Sequence, residues 1–348
     1  MTGQLAVAVA GLGYFSQFHL ASWQKIDETA LVGLFDADPA RLAQAAERTG
    51  APSFATLAAM LDAGKPDILD IVTPPHTHAG FIEAAAREGL TIICQKPFCT
   101  SVQEAHRVAK LARERGALLI IHENIRFQPW YRRIAGLLAS DTIGQIYQAH
   151  FRLRPGDGQG KDAYLDRQPA FQTMPRLLVH ETGVHFIDLF RWLFGDITHV
   201  YSDCRRLNPA IAGEDAGFVI LDHECGVTTV FDGNRLADHR AENRRKTLGE
   251  MVIEGSAGTI RLDGSGRVFV RSFNANEERE IPFDYVDEGF GGGCVEALNR
   301  HVVAHLLHGA PLENRADDYL PVIAIVERAY QSWKQGRKLE TGADHDRQ

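Results

Sequence analysis

Leu5-Ala6-Val7-Ala8-Val9-Ala10-Gly11-Leu12-Gly13-Tyr14-Phe15-Ser16 is the stretch whose reading decides the fold, because an apolar run breaks there into a glycine turn. It predicts a strand, a tight turn and a helix N-terminus, and Asp36 follows twenty residues after Ser16, closing the apolar stretch from Ala30 to Phe35. Gly11 allows the turn, and Gly13 lets backbone N–H groups approach a pyrophosphate whose charge the helix dipole favours. Tyr14, Phe15 and Ser16 lie on the same turn. Ser16 stands where a third glycine is usual, but a small residue still permits close helix–strand packing. Asp36 is placed to accept from adenosine ribose hydroxyls and to repel a 2′-phosphate, so NAD is expected ahead of NADP. Arg41, on the following helix, is the residue able to swing towards such a phosphate.

A strand–helix alternation continues outward from this turn. Leu31–Phe35 leads to Asp38-Pro39, an N-cap with proline at the first helical position. Ile68–Val72, Thr91–Cys94 and Leu118–His122 are further short apolar strands, with helices expected from Phe81 to Arg87 and from Val102 to Arg115. That rhythm predicts a doubly wound parallel sheet whose ligand sits beyond the carboxyl ends of its strands. The expected fold class is α/β: a Rossmann domain over residues 1–123, then an α+β domain over 124–348 with a large, mainly antiparallel sheet. In the second part a helix from Pro129 to Ala139 precedes strands at Gln145–Arg154, Ile197–Leu207, Ala216–Asp222, Val227–Asn234, Glu250–Glu254, Thr259–Leu262 and Val268–Ser272. Short turns such as Ser256-Ala257-Gly258 make neighbours antiparallel. One long helix is expected over Pro175–Phe194, and two more over Val295–Leu307 and Asp317–Gln335.

Composition narrows the class. With 348 residues two domains are the natural expectation, and a net charge of −8 argues against a nucleic-acid partner. No run approaches membrane-spanning length, and the N-terminal apolar stretch does not read as a signal peptide. Five cysteines, none in a C-x-x-C pair, suggest neither a disulfide framework nor a zinc cluster; reduced thiols in cytoplasm are expected.

Several residues fit chemistry, each with a plainer reading beside it. Lys96 follows a parallel strand directly before Pro97, where a cis bond is accessible and would turn the lysine at the ligand end of the sheet. It either hydrogen-bonds a substrate hydroxyl or is a surface lysine before a helix. Glu181 and His185 are four apart on the Pro175–Phe194 helix, where a carboxylate can hold an imidazole in one tautomer for general-base work; the alternative is an ordinary helix-surface pair. His180 and His185 are five apart and diverge around an α-helix, so no metal is expected. Thr73-Pro74-Pro75 with His76 and His78 reads as a cofactor-positioning turn or a polar helix start. Between Arg154 and Gln172 runs a polar, glycine-bearing loop containing Tyr164, which is either a binding loop or a solvated connection.

Gly11-Leu12-Gly13, Thr73-Pro74-Pro75-His76-Thr77-His78, Gln95-Lys96-Pro97 and Glu181-Thr182-Gly183-Val184-His185-Phe186-Ile187-Asp188, in that order, resemble the glucose–fructose oxidoreductase/inositol dehydrogenase family (Gfo/Idh/MocA). The resemblance covers nearly the whole chain. It implies a nicotinamide cofactor, a sugar or polyol substrate, and a homodimer or homotetramer built through the C-terminal sheet. By the same resemblance Lys96 matches the lysine of a Glu-Lys-Pro motif and His185 the catalytic histidine, with Glu181 where aspartate is usual. Gln95 departs from the motif's glutamate and removes a charge beside Lys96. Cofactor contacts are then expected from Gly11, Gly13, Tyr14, Phe15, Ser16, Asp36, Thr73, Pro74, Pro75, His78, Gln95 and Lys96, and substrate contacts from Arg154, Tyr164, Gln172, Glu181 and His185. Segments Gly11–His19, Cys94–Phe98 and Arg152–Asp188 are also similar to apiose dehydrogenases, a branch that oxidises a branched pentose to its lactone. Two other activities stay open: an NAD-dependent glycosidase of the same family, and a non-catalytic sensor of nucleotide or sugar.

Overall fold

In the computed structural model, which describes residues 3–342, ten chain segments build the first compact unit. They are β1 (Leu5–Ala10), α1 (Ser16–Lys25), β2 (Thr29–Phe35), α2 (Pro39–Thr49), α3 (Leu57–Gly64), β3 (Ile68–Ile71), α4 (Pro75–Ala85), β4 (Thr91–Gln95), α5 (Val102–Glu114) and β5 (Leu118–His122). The strands form a parallel sheet in the order β2-β1-β3-β4-β5. Every residue of β3 and β4 is buried, which explains why both are mainly apolar, with Asp70 as the one charge: both faces are covered by helices. Helix starts follow local chemistry. Asp38 Oδ1 accepts from Ala40 N at 2.9 Å with Pro39 at the first helical position, and Thr56 and Ser101 cap α3 and α5. α3 is an addition to the elements expected from the sequence.

The order reverses between β1 and β3, so the loops after those two strands flank the switch point where an open α/β sheet binds ligands. Behind it, α1 is tied to the sheet by polar groups. His19 Nδ1 lies 2.7 Å from Asp70 Oδ2, and Trp23 Nε1 donates to the same oxygen at 2.7 Å. His122, fully buried, has its pKa pushed down to about 3, chiefly by burial and then by neighbouring His19.

The second unit runs from Ile125 to Gly293 and resumes at Ala324. It contains α6 (Pro129–Ala139), β6 (Ile146–Leu153), the one-turn α7 (Ala170–Thr173), α8 (Val184–Phe194), β7 (Ile197–Arg205), β8 (Ala216–His223), β9 (Thr228–Asn234), β10 (Gly249–Gly255), β11 (Gly258–Leu262), β12 (Val268–Ser272) and the two-residue β13 (Arg279–Glu280). The chain continues with α9 (Cys294–His308), α10 (Ala316–Gln335) and β14 (Leu339–Glu340). Nine strands make one sheet, β13-β12-β11-β10-β6-β9-β8-β7-β14, antiparallel throughout except where β6 runs parallel to β9.

Phe151 of β6, Phe186 of α8 and Phe231 of β9 stack under this sheet, with centroids 3.8 Å apart for Phe151–Phe186 and 5.4 Å for Phe186–Phe231, and none is exposed. Each ring buries on the order of 2 kcal/mol of apolar surface, so the stack fixes α8 against the sheet.

Two expectations change here. The stretch Cys294–Ile323 clusters with the first unit, whereas the sequence reading put everything after 123 in the second domain. Polar ties account for this: Asn299 Nδ2 donates to Ser22 Oγ at 2.9 Å and Asn314 Nδ2 to the Glu123 carbonyl at 2.8 Å. Helical periodicity names a helix without naming the layer it joins. The helix expected over Pro175–Phe194 is also not one regular α-helix, since Leu178–Gly183 is a π-helical turn and the α-helix begins at Val184.

The depressed His122 pKa fixes a sign for stability. Folded His122 stays neutral while the unfolded chain takes up a proton below about pH 6.5, so its contribution is complete above that pH and is lost as pH falls towards 3. The denaturation midpoint in urea should fall between about pH 7 and pH 5, with His122 supplying on the order of 1 kcal/mol per pH unit. His122→Asn should flatten that slope; an unchanged slope would show that His122 does not titrate in this way.

Candidate active site

The glycine turn is dictated by main-chain crowding. Gly11 has φ +93°, and a Cβ there would stand 2.7 Å from the Thr73 main-chain nitrogen and Cγ2. Only glycine satisfies both the left-handed conformation and this approach. Gly13 is different. A Cβ there would meet nothing nearer than Arg41 Nη1 at 3.9 Å, so protein packing does not demand a glycine. α1 has no side-chain cap at its N-terminus. An empty cradle at Gly13 next to an uncapped helix N-terminus fits a phosphate group. Ser16 is buried and donates its hydroxyl to the Gly13 carbonyl at 2.7 Å, so the serine in the usual third glycine position tightens the turn.

Asp36 braces the same turn. Its Oδ2 accepts from Leu12 N at 2.6 Å and its Oδ1 from Asp38 N at 2.8 Å. A carboxylate accepts roughly four hydrogen bonds, so two remain for ribose hydroxyls. Beside the turn lies a cleft of about 280 Å³ lined by Gly13, Tyr14, Gln17, Arg41, Gln44 and Arg48. Tyr14 is exposed and Phe15 half-buried, and both pack near Phe18. The residues present therefore fit a dinucleotide: a pyrophosphate at Gly13 and a ribose at Asp36.

Across the switch point, Thr73 receives a hydrogen bond from Thr77 Oγ1 at 2.7 Å, and Pro75 opens α4 with Pro74 as its cap. His78 sits where the sequence reading wanted a cofactor contact, but its ring is completely buried. Its Nδ1 faces the Phe98 carbonyl at 2.9 Å and its Nε2 the Thr73 carbonyl at 2.8 Å. Burial pushes its pKa down while the carbonyls oppose that shift. His78 therefore clamps the Thr73 turn to the loop after β4, and its edges are spent on protein. Lys96 is half-buried at the end of β4 and is followed by a cis bond to Pro97, as its position before proline allows. Gln95 also points inward: its Oε1 accepts from Lys96 N at 3.1 Å and its Nε2 lies 2.8 Å from His19 Nε2.

In the second unit, the π turn Leu178–Gly183 ends two residues before His185, which is buried, while His180 and Glu181 are half-buried. Such turns recur at functional sites, and their wider repeat brings residues five apart onto one face. Even so, the described residues contain no group of three or more His, Cys, Asp and Glu side chains able to hold a metal.

Glu181 Oε2 accepts from Thr182 Oγ1 at 2.6 Å and lies 3.7 Å from Arg235 Nη1. Arg235, nearly inaccessible, also donates to Tyr164 Oη at 2.8 Å, Thr182 Oγ1 at 2.7 Å and Asp157 Oδ2 at 3.0 Å. Burial pulls its pKa down, but Asp157, Tyr164 and Glu181 outweigh it and raise it. This hub was invisible in the sequence, because a lone arginine after an apolar strand carries no motif. Asp188 is buried too, in a two-pronged ion pair with Arg126.

The hub reorganises the expected substrate residues. Tyr164 is buried with its hydroxyl on Arg235, and burial raises its pKa to about 12. Gln172 Nε2 donates to the carbonyls of Lys161 at 2.9 Å and Ala163 at 2.8 Å. Arg154 spans to the Asp232 carbonyl at 2.7 Å and carboxylate at 2.6 Å. All three side chains hold protein to protein. The loop over 155–172 is neither a solvated connection nor loose, since Tyr164 and Phe171 join Ala163, Leu177 and Ile211 in a small core of their own.

A glycine turn braced by a carboxylate at the switch point of a parallel sheet defines an NAD-binding Rossmann unit, here joined in one chain to a unit built on a nine-stranded sheet. The model of the oxidoreductase family with an NAD-binding Rossmann fold (GFO_IDH_MocA) matches residues 5–123, and the model of the Gfo/Idh/MocA C-terminal domain matches residues 131–261. The chain belongs to this family and is an NAD-binding oxidoreductase. It is 32% identical to a D-apiose dehydrogenase of Paraburkholderia graminis over 96% of this chain and 88% of that one. It is 28% identical to a D-apiose dehydrogenase of Rhizobium rhizogenes, covering 98% of each. Among solved structures, an oxidoreductase from Agrobacterium radiobacter in complex with NAD+, L-tartaric acid and magnesium is 27% identical, with a TM-score of 0.88 over 98% of this chain and 99% of that one. Among the described residues no helix is long and apolar enough to cross a membrane.

Arg235 is the member of the site whose removal is most readable. Arg235→Met should remove the guanidinium shared by Asp157, Tyr164, Thr182 and Glu181, leaving Asp157 its pair with Arg167, and cost about 3 kcal/mol of stability in urea denaturation. A loss below about 1 kcal/mol would mean that the guanidinium is not the organising charge.

Proposed function

We propose that this protein is an NAD-dependent dehydrogenase that oxidises a CH–OH group of a small sugar, with D-apiose, oxidised at its anomeric carbon to the lactone, as the candidate substrate. The observation that carries the reading is Lys96, an ammonium group at the carboxyl end of β4, whose own main chain is held by Gln95 and whose loop is clamped to the Thr73 turn by His78. Similarity to two D-apiose dehydrogenases along nearly the whole chain supports the choice of sugar.

NAD, when bound, accepts hydride from the carbinol carbon. Gly13 and the first turn of α1 bind its pyrophosphate, and Asp36 accepts from the ribose and disfavours a 2′-phosphate. His185 accepts the hydroxyl proton as general base. Lys96 supplies a hydrogen-bond donor to a substrate hydroxyl. Glu181, which accepts from Thr182 and lies 3.7 Å from Arg235, favours the imidazolium that results.

The test is NADH formation from D-apiose by the full-length protein and by Lys96→Ala. The variant should bind NAD and melt as the parent does, yet lose turnover by about 10²–10⁴-fold. Near-parental turnover would remove Lys96 from the chemistry.

A further inference from the structure

Behind Lys96 lies a chain of buried polar groups in which each proton has one allowed place. The Lys96 main-chain N–H can only donate, and it meets Gln95 Oε1 at 3.1 Å. That contact fixes the Gln95 amide with its carbonyl towards Lys96 and its NH₂ inward, 2.8 Å from His19 Nε2 and 3.3 Å from His122 Nδ1. An NH₂ group has two donors and no acceptor, so both imidazole nitrogens facing it must be bare. His19 therefore carries its proton on Nδ1, aimed at Asp70 Oδ2 2.7 Å away. His122 carries its proton on Nε2. That nitrogen and Asn299 Oδ1 are both buried without a partner at ordinary length, and Asn299 is the side chain beside it, so the assignment gives each orphan its complement.

The surroundings are complete on every side. His19 is faced by Asp70 of β3, Gln95 of β4 and the His122 ring of β5 with centroids 4.2 Å apart, and by Phe15 at 5.7 Å. Trp23 donates to the same Asp70 oxygen, and the buried Cys94 thiol is the other titratable group near that carboxylate. His19, Asp70, His122 and Asn299 are all buried.

We propose that Asp70 and His19 are positioning residues for Lys96: they aim Gln95 so that its carbonyl receives the Lys96 N–H, and Gln95 in turn locks His19 as the neutral Nδ1–H imidazole. Asp70 is the single charge of this relay, and its second oxygen has no protein donor. A glutamate at position 95 would offer only acceptors to the same two bare nitrogens, which would draw a second proton onto His19 and set an imidazolium between two carboxylates. The glutamine thus keeps the relay neutral from His19 onward. The importance of this for turnover rests on the catalytic role given to Lys96 above, but the proton positions do not.

Nitrogen-15 NMR of the histidine rings in the full-length protein reads those positions, with His19→Gln used to assign the signal. The wild-type protein should show His19 with one protonated nitrogen and one bare nitrogen, whereas Gln95→Glu should show both protonated. Two protonated nitrogens in the wild type, or an unaltered His19 in Gln95→Glu, would overturn the assignment. The kinetic arm compares His19→Gln and Asp70→Asn with Lys96→Ala on the sugar that reduces NAD. Each relay variant should lower kcat by about tenfold with KM for NAD unchanged, a loss that a merely structural role would instead show in melting temperature. Unchanged kcat in His19→Gln beside an inactive Lys96→Ala would overturn the positioning role. A fully active Lys96→Ala would instead overturn the catalytic reading, with the NMR result standing by itself.

Discussion

Everything at the cofactor end of this protein depends on the contact between Gly11 and the main chain of Thr73. Two loops leave adjacent parallel strands and approach until a single methyl group would overlap three atoms at 2.7 Å. Because they meet there, the turn after β1 cannot relax outward, and Asp36 can reach across to hold the Leu12 amide. His78 carries the constraint onward by lying between the Thr73 carbonyl, 2.8 Å from its Nε2, and the Phe98 carbonyl, 2.9 Å from its Nδ1. The lysine loop is thereby joined to the glycine loop through one buried imidazole set between two main-chain carbonyls.

The second unit is held by apolar stacking and by one buried cation. Phe151, Phe186 and Phe231 seat α8 on the sheet, and Gly233 lets the π turn approach β9, since a Cβ there would come within 2.8 Å of Leu178. Arg235 then gathers Asp157, Tyr164, Thr182 and Glu181 around a guanidinium with every edge used. Such a centre is costly to assemble and costly to disturb, because taking away one partner strands the others in a low-dielectric interior.

How far the chain could be read without coordinates follows from the range of the forces involved. The parallel strands, the cap at Asp38-Pro39, the cis-capable Lys96-Pro97 and the antiparallel run from β7 to β12 were legible because their signals are local: apolar runs, turn residues, a proline. The glycine turn was legible for the same reason. α3 was missed although Thr56 caps it, since eight residues carry little periodicity. The π turn was missed because one extra residue per turn leaves the apolar pattern around Leu178, Val179 and Val184 intact while rotating His180 and Glu181. His78, Arg154, Tyr164 and Gln172 were read as facing a ligand. They bond protein atoms from five to 78 residues away, and no spacing rule encodes such partners.

The central claim is that these two units oxidise a small sugar with net reduction of NAD, and a screen of NADH formation across pentoses, hexoses and polyols tests it most directly. The account predicts stoichiometric NADH with an aldose, D-apiose foremost, and the matching lactone as product. NAD that binds but is not reduced by any of these compounds would contradict it, as would sugar release from a glycoside with no net NADH.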